Sequence, residues 1–456
     1  MAIRLESSID DLARQVAGPV LVAGDERIAQ EAFPFNAAIQ HAPDVVVGAT
    51  CAQDVQAAVR FAAANGLRVS VQATGHGAVS PIEGGLLVTT QRMQHLSIDA
   101  AGRTAVIGAG VKWRAVIDAG ADFGLAPLNG SSSDVGAVGY TLGGGMPVLG
   151  RTYGYASDYV LAFEIVTADG ELRHVSPSED PDLFWALRGG KPDVGIVTSI
   201  TIELLPLSEF YGGSIYYDGE HAPELLRAFM EWCRTVPDEM TATIGLMRLP
   251  PMPDVPEPLR NRFTVQLRIA FVGSKQKGDE LLRPLREIAP AIIDYVGPMP
   301  YTEVDRVHND PATPLPFDYN TVVLDDLTPG AIDALMALAG PGVQTPILMV
   351  EIRHMGGALA RPAPVEDSVG LRSDGYFVFF LGALMPEIAD IVPPALAGAA
   401  EALAPHANGR SFVNMHGAAK SDTDGARPWD AEQYASLANV KTSYDPDGRF
   451  RFAHWS

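Results

Sequence analysis

The 456-residue sequence contains only two cysteines, Cys51 and Cys233. Two thiols are too few for a disulfide framework or a cysteine-rich metal site, and they are compatible with a reducing compartment. The N-terminal residues lack the basic start and apolar core of a secretory signal, and no apolar run approaches the length of a membrane span. We therefore expect a cytoplasmic protein with no metal site and no membrane partner.

Basic residues are also scarce. The sequence has 33 lysines and arginines against 55 acidic residues, a formal net charge of −22. This charge repels polyanions, so nucleic acid is not an expected partner. Apolar residues make up 47% of the chain and charged residues 19%, a composition typical of folded proteins with large cores. A chain of this length is expected to form at least two domains.

Glycine, in contrast, is abundant, with 45 residues. It is concentrated in two stretches, the Thr74–Gly77 loop and the segment from Asn129 to Gly145. An alternating run from Leu67 to Ala73 predicts a strand leading into the first stretch. Because glycine and small hydroxyl residues allow close approach to backbone amides, both stretches predict a cradle for a phosphate-bearing cofactor.

Two common nucleotide-binding motifs fit these stretches poorly. Gly108-Ala109-Gly110 resembles the start of a dinucleotide fingerprint, but Trp113 stands where the third glycine is required. Segment 145–152 resembles a phosphate loop with arginine in place of lysine. The preceding Tyr140-Thr141-Leu142 is too closely flanked by glycine to be the buried strand that such a loop follows.

The hydrophobic pattern changes near residue 207. Before it, residues 1–32 predict a helical lead-in, Thr50 and Gln53 a capping box, and residues 160–167 and 171–175 a hairpin. After it, strands and helices occur in runs, which indicates an antiparallel sheet covered by helices on one face. The predicted strands lie near 211–217, 241–247, 263–272, 347–352 and 376–381, and the helices near 223–234, 278–288, 332–338, 386–403 and 431–440.

The glycine-rich stretches, together with the Tyr444-Asp445-Pro446 tail, resemble the berberine-bridge-like branch of the vanillyl-alcohol-oxidase and p-cresol-methylhydroxylase superfamily of FAD enzymes. Gly139–Gly145, Tyr153-Gly154 with Asp158, and Pro181–Gly190 extend this resemblance in order along the chain. It implies an α+β, two-domain fold. The expected parts are an FAD-binding domain with two small α/β subdomains (1–206), a substrate domain with a helix-covered antiparallel sheet (207–410), and a C-terminal segment (411–456) returning to the first domain.

In this family a loop histidine bonds covalently to the flavin, and His76 occupies that position. Some relatives add a second link through cysteine, but Ser132 stands there and a serine hydroxyl does not readily form that bond. The resemblance therefore implies FAD with one covalent link, whereas a histidine that only bonds locally is the alternative. The implied cofactor-binding residues are Thr74, Gly75, His76, Gly77, Ala78, Ser132, Ser133, Val135, Gly136, Gly139, Tyr140, Gly143, Gly144, Gly195, Val197 and Asn414.

The sequence departs from the family pattern at three places. Lys191-Pro192-Asp193 replaces a glycine-rich run, and Lys191 either compensates by charge or is an ordinary exposed lysine. Phe412 replaces the tyrosine that serves several relatives as catalytic base. Residues 452–455 differ from the usual Asn-His-Asn.

Because the usual base is missing, we name Tyr376 and His416 as catalytic candidates. Glu351, Arg353 and His354 are further candidates, and strand alternation places the first two on one face and His354 on the other. A Glu-x-Arg pair on a strand is more often a structural ion pair. Phe377, Phe379 and Phe380 indicate either a hydrophobic pocket or ordinary core.

The resemblance implies an FAD-dependent oxidase acting on a small organic substrate, namely an alcohol, an amine or an intermediate of secondary metabolism. Hydride would pass to the flavin, with dioxygen as the acceptor that reoxidises it. The expected protein is a monomer or homodimer. The alternatives are a cyclase or isomerase that holds flavin without net redox chemistry, and a binding protein of the same fold without cofactor.

Overall fold

The computed structural model describes residues 8–191, 193–417 and 427–450. In these ranges the strands form a four-stranded, a five-stranded and an eight-stranded sheet. None of the helices in the described ranges combines the length and apolarity needed to span a bilayer.

The four-stranded sheet has the order β1-β2-β4-β3. Strand β4 runs parallel to β2 and β3, while β1 is antiparallel to β2. Its apolar side packs on a helix that buries Val55, Val59 and Ala62 and ends at Asn65, as the sequence predicts. The elements are α1 (Ile9–Gln15), β1 (Val20–Val22), α2 (Ile28–Glu31), β2 (Val45–Gly48), α3 (Ala52–Ala64), β3 (Val69–Gln72) and β4 (Leu86–Thr89).

Two local predictions in this region are wrong. Val20 and Val22 belong to a strand and not to a helical lead-in, because they pair with β2. The predicted capping box does not form either, since the helix begins after Cys51 without a side-chain cap. Instead, the Asp54 carboxylate accepts hydrogen bonds from the backbone amides of Thr50, at 2.8 Å, and Ala17, at 2.9 Å.

The five-stranded sheet is antiparallel, with the order β5-β6-β9-β7-β8. The predicted hairpin is confirmed as β7 and β8, whereas Tyr140–Leu142 belong to a short helix. The elements are β5 (Leu96–Asp99), β6 (Thr104–Gly108), α4 (Trp113–Ala121), α5 (Ala137–Leu142), α6 (Gly150–Tyr153), β7 (Val160–Thr167), β8 (Leu172–Val175), α7 (Pro181–Leu187) and β9 (Gly195–Glu203).

The eight-stranded sheet is also antiparallel, with the order β13-β10-β12-β11-β16-β17-β15 and β14 beside β10. The five predicted strands are present, and the sequence pattern missed β13, β14 and β15. The helix predicted near 386–403 begins at Val392. The elements are β10 (Glu209–Asp218), α8 (Ala222–Cys233), β11 (Met240–Leu249), β12 (Arg262–Phe271), α9 (Lys275–Arg286), β13 (Ala291–Asp294), β14 (Gly297–Pro300), β15 (Phe317–Leu324), α10 (Pro329–Ala339), β16 (Met349–His354), β17 (Tyr376–Ala383) and α11 (Val392–Leu403).

The two faces of this sheet differ. Ile244, Leu267 and Val378 point to the side covered by helices and share a core with Phe229 of α8 and Leu335 of α10. The residues that alternate with them along each strand point to the other side of the sheet, which those helices do not cover. The sheet thus supplies one packed face and one face available to a ligand.

The C-terminal segment packs on elements from the first part of the chain. Helix α12 (Ala431–Tyr444) contacts α7, and Phe450 forms a bridge with Val69 of β3. The fully buried Asp445 carboxylate accepts hydrogen bonds from the amides of Arg449, at 2.8 Å, and Phe450, at 2.9 Å, and from Lys441 at 3.1 Å. These contacts agree with a returning tail, although the boundaries at 206 and 410 stay a prediction.

Replacing Asp445 should weaken this anchoring. Asp445→Ala leaves the Arg449 and Phe450 amides without their acceptor. It also removes the carboxylate paired with Lys441, whose ammonium group keeps the carbonyl oxygens of Asp193 and Phe450 as acceptors. We expect unfolding to become easier by about 2 to 4 kcal/mol. Urea unfolding followed by circular dichroism measures the change. Asp447→Ala is the matched control, because that side chain is 78% exposed and should matter by less than about 0.5 kcal/mol. Equal stability of the two variants would contradict the assigned role of Asp445.

Candidate functional site

A single large cavity of ≈ 1490 Å³ lies against both glycine-rich stretches. Its opposite wall is the face of the eight-stranded sheet that the helices leave uncovered. The lining includes the 74–84 loop, α5, Gly195 and Val197 of β9, and side chains of β11, β12, β16 and β17. The cavity therefore joins the two regions that the sequence assigns to cofactor and substrate.

His76 lies in this cavity wall with its ring held on two sides. The ring stacks on Phe35 with centroids 3.8 Å apart, and Nδ1 lies 2.9 Å from Thr74 Oγ1. Nε2 is buried and has no hydrogen-bond partner among the described residues. Burial lowers the pKa of His76 to about 4, so the ring is neutral at pH 7. A neutral imidazole with an unpaired Nε2 has a lone pair available to a ligand.

The glycine positions leave room for a ligand beside this ring. A Cβ added at Gly139 would meet no atom within 4 Å outside its own helix, and one at Gly77 would meet only Lys191 Nζ at 3.9 Å. Gly139 lies in α5, where alanine would be the better helix former. The open space at Gly77 and Gly139 and the unpaired Nε2 of His76 fit a flat cofactor held against the backbone.

Asn414 connects the C-terminal segment to the site. Its Nδ2 donates a hydrogen bond to the Tyr140 carbonyl oxygen at 2.8 Å. Asn414 Oδ1 and the Tyr140 hydroxyl are buried without a partner among the described residues. Both residues line the cavity, so the C-terminal segment and α5 meet at this part of its wall.

Most of the predicted cofactor residues line the cavity, but three do not. Ser133 directs its backbone amide, at 2.8 Å, and its hydroxyl to the Asp305 carboxylate, so these groups are already bonded. Gly143 and Gly144 lie behind the wall, where they pack against Asn414 and Val369. The predicted residues in the lining are Thr74, Gly75, His76, Gly77, Ala78, Ser132, Val135, Gly136, Gly139, Tyr140, Gly195, Val197 and Asn414.

Lys191 is half-buried in the cavity wall, which does not agree with an ordinary exposed loop lysine. Burial lowers the pKa of its ammonium group to about 8. The charge-compensating interpretation therefore fits its position better. Pro192 and residues 452–455, two other departures from the family pattern, lie outside the described residues.

Both catalytic candidates lie outside the cavity lining. Tyr376 stacks on His354 with centroids 5.4 Å apart and belongs to the packed core of the eight-stranded sheet. His416 directs Nδ1 to Ser411 Oγ at 2.8 Å. Neither side chain is part of the cavity lining, whereas Phe412 is. Helix packing on one sheet face explains the position of Tyr376, which the sequence pattern did not reveal.

Glu351 and Arg353 share one face of β16, as strand alternation predicts, and that face borders the cavity. Glu351, Arg353 and Phe379 line it, while Ile352 and Phe380 are in the core with the helices. Sequence reasoning missed the loop residue His308 and Arg268 of β12, which also line the cavity. Arginine within an apolar strand was the signal that could have revealed Arg268.

Comparison with known proteins agrees with this site. Residues 43–176 match the family model described as an FAD binding domain. The (R)-6-hydroxynicotine oxidase of Paenarthrobacter nicotinovorans is 27% identical over 434 residues, covering 90% of this chain and 90% of the relative.

Solved structures show the same fold. 6-Hydroxy-D-nicotine oxidase from Arthrobacter nicotinovorans superposes with a TM-score of 0.85 at 24% identity over 99% of both chains. The berberine-bridge-like protein 1 of Physcomitrella patens gives 0.84 at 20% identity over 98% of both. Glucooligosaccharide oxidase from Acremonium strictum, described with a 6-S-cysteinyl, 8α-N1-histidyl FAD, gives 0.80 at 19% identity over 97% of this chain and 98% of that chain.

These findings first define the class: the chain carries an FAD binding domain and is an FAD-linked oxidoreductase. Within that class it resembles the berberine-bridge-like FAD oxidases, as the order of its motifs predicts. The two-domain α+β fold expected from the resemblance is confirmed.

Gly139→Ala tests whether the cofactor lies against α5. The added methyl group meets no protein atom within 4 Å outside its helix and suits the helix, so the fold should be retained. We expect a lower ratio of flavin to protein absorbance because the methyl group occupies cofactor space. Gly398→Ala on α11, where a Cβ also meets nothing within 4 Å, is the control and should retain full flavin. A full flavin-to-protein absorbance ratio in both variants would show that Gly139 does not contact the cofactor.

Proposed function

We propose that this chain is an oxidase that holds FAD through one covalent bond from His76 and oxidises a small organic substrate, with dioxygen as electron acceptor. The observation that carries this proposal is the buried, unpaired Nε2 of His76 beside the open space at Gly77 and Gly139. The FAD binding domain match covers the His76 loop and Gly139.

Nε2 is the attachment atom that the contacts favour. Thr74 Oγ1 is bonded to Nδ1 and the Phe35 ring fixes the imidazole plane, so Nε2 remains for the cofactor. A hydroxyl both donates and accepts hydrogen bonds. Thr74 can therefore accept from Nδ1–H before attachment and donate to the Nδ1 lone pair afterwards.

The chain's remaining polar groups suit binding and orientation. Asn414 Oδ1 and the Tyr140 hydroxyl are acceptor and donor groups without a partner in the part of the chain that the structure describes, and Lys191 adds a cation to the same wall. FAD, when bound, supplies the hydride-accepting chemistry. If these groups bind the cofactor, the cavity-facing side of the eight-stranded sheet remains available to bind the substrate.

Phe412 bears on the substrate class. It lines the cavity in the position where several relatives have a basic tyrosine, so this chain lacks a phenol there. A substrate whose oxidation needs no strong base suits such a site. (R)-6-hydroxynicotine oxidase, a relative that aligns with this chain over 434 residues, supports a small organic substrate. It does not specify which substrate this chain oxidises.

His76→Ala tests the covalent attachment. In the unaltered protein the yellow chromophore should remain with acid-precipitated protein, and peptide mass mapping should find it on His76. In the variant it should become extractable, because alanine has no nucleophilic nitrogen. His95→Ala is the control, since that histidine is exposed and outside the cavity. Complete release of pigment from the unaltered protein would contradict the covalent link.

The oxidase reaction is tested with a panel of alcohols, amines and hydroxy acids under air. At least one substrate should bleach the flavin absorbance anaerobically and produce hydrogen peroxide in steady state when dioxygen is admitted. Conversion of a substrate without bleaching or peroxide would instead indicate a cyclase or isomerase. A colourless protein that cannot be reconstituted with FAD would indicate a binding protein of the same fold.

A further inference from the structure

A charged cluster lies in the cavity wall, on the sheet face opposite the two glycine-rich stretches. The Glu351 carboxylate on β16 receives hydrogen bonds from Arg353 on the same strand and from Arg268 on β12. Gly245 of β11 lies between Gln266 and Glu351 in the strand register. Because glycine has no side chain, Arg268 can reach across β11 to Glu351.

This cluster has more donors than acceptors. The side chains of Arg268 and Glu351 are 1% and 2% exposed, and that of Arg353 is 14% exposed. Arg268 Nε is buried without a partner in the described part of the chain. Within those residues, Arg353 donates a hydrogen bond from Nε to Glu351. Its two terminal NH2 groups are left to bind a ligand in the cavity.

His308 adds another unpaired group to the same wall. Its Nδ1 lies 3.8 Å from Glu351 Oε2, beyond hydrogen-bond distance, and is buried without a partner within the described ranges. Burial, reinforced by the two neighbouring guanidinium groups, holds the pKa of His308 well below its usual value. The ring is therefore neutral and can donate from a protonated Nδ1.

The charge balance favours an anionic ligand. Two guanidinium groups share one carboxylate, and a buried charge without compensation is costly. Asp310 in the adjoining loop also lines the cavity. Burial lowers the pKa of both arginines and the Asp310 charge opposes that shift, but Asp310 forms no ion pair within 4 Å with either of them in the described residues. Packing alone does not call for this cluster, since apolar residues would serve a sheet face equally well.

We propose that the substrate carries a carboxylate, which binds to the terminal NH2 groups of Arg353 and to His308, while Glu351 and Arg268 hold Arg353 in position. A planar guanidinium with two free NH2 groups matches a carboxylate in a bidentate manner. Phe379, Met349 and Leu381 line the adjoining wall and suit the apolar part of the molecule. The inference that this ligand is a substrate rests on the proposed oxidase function. The inference that the site binds a carboxylate does not.

Isothermal titration calorimetry on the purified holoprotein tests the site with matched probes: benzoate and benzamide, phenylacetate and phenylacetamide, indole-3-acetate and indole-3-acetamide. We expect at least one carboxylate to bind about tenfold or more tightly than its amide. Arg353→Gln should weaken that carboxylate about tenfold and leave the amide unchanged. Arg353→Lys, which keeps the charge but loses the fork, should give an intermediate affinity.

Arg262→Gln is the control, because Arg262 begins β12 but its side chain is 51% exposed and pairs with Asp218. It should bind every probe as the unaltered protein does. Equal affinity for acid and amide in all three pairs would overturn the proposal, and so would an Arg353→Gln variant with full carboxylate affinity. Calorimetry needs no turnover, so a protein that binds carboxylates but forms no peroxide would contradict the oxidase function and leave the site standing.

Discussion

The contact between the His76 loop and the Pro34-Phe35 segment is the constraint on which the site depends. Phe35 donates its amide to the Thr74 carbonyl at 3.1 Å and stacks its ring on His76. Gly75 has a φ of +70° and lies so close to Pro34 that an added Cβ would be 2.5 Å from its Cα. Only glycine allows both this conformation and this approach, so the shape of the loop depends on Gly75.

The eight-stranded sheet separates two tasks by strand alternation. One parity of residues packs under α8 to α11 and provides stability. The other parity faces the cavity and includes the ion cluster of Arg268, Glu351 and Arg353. Changes on the cavity face alter charge and shape without removing core contacts. A fold shared with a nicotine oxidase and an oligosaccharide oxidase can thus have different side chains in its substrate wall.

The C-terminal segment completes the cavity from the far end of the sequence. Asn414 reaches α5, and the chain then runs through α12 to pair Phe450 with β3. Asp445 fixes this return by accepting hydrogen bonds from three donors around the end of α12. The first and last parts of the chain consequently form one wall of the cavity, while the opposite wall comes from the residues between them.

The sequence by itself determined the elements whose causes are local. The alternation of β16 separates Glu351 from Ile352, and the glycines at 75 and 77 mark the loop that lines the cavity. Motif order also indicated the FAD class. Local patterns could not predict that Val20 and Val22 pair with β2, that Asp54 bonds the Ala17 amide, or that Ser133 bonds Asp305, since each contact joins residues far apart in the chain.

Tertiary structure alone decided which polar side chains face the cavity together. Tyr376 and His416 are chemically suitable catalysts, but their partners are His354 and Ser411, outside the lining. Arg268 meets Glu351 because β12 and β16 flank β11, and the loop at 308 brings His308 close to the same carboxylate. The physical reason is that sheet order and loop return set distances between residues far apart in the chain, and periodicity carries no information about those distances.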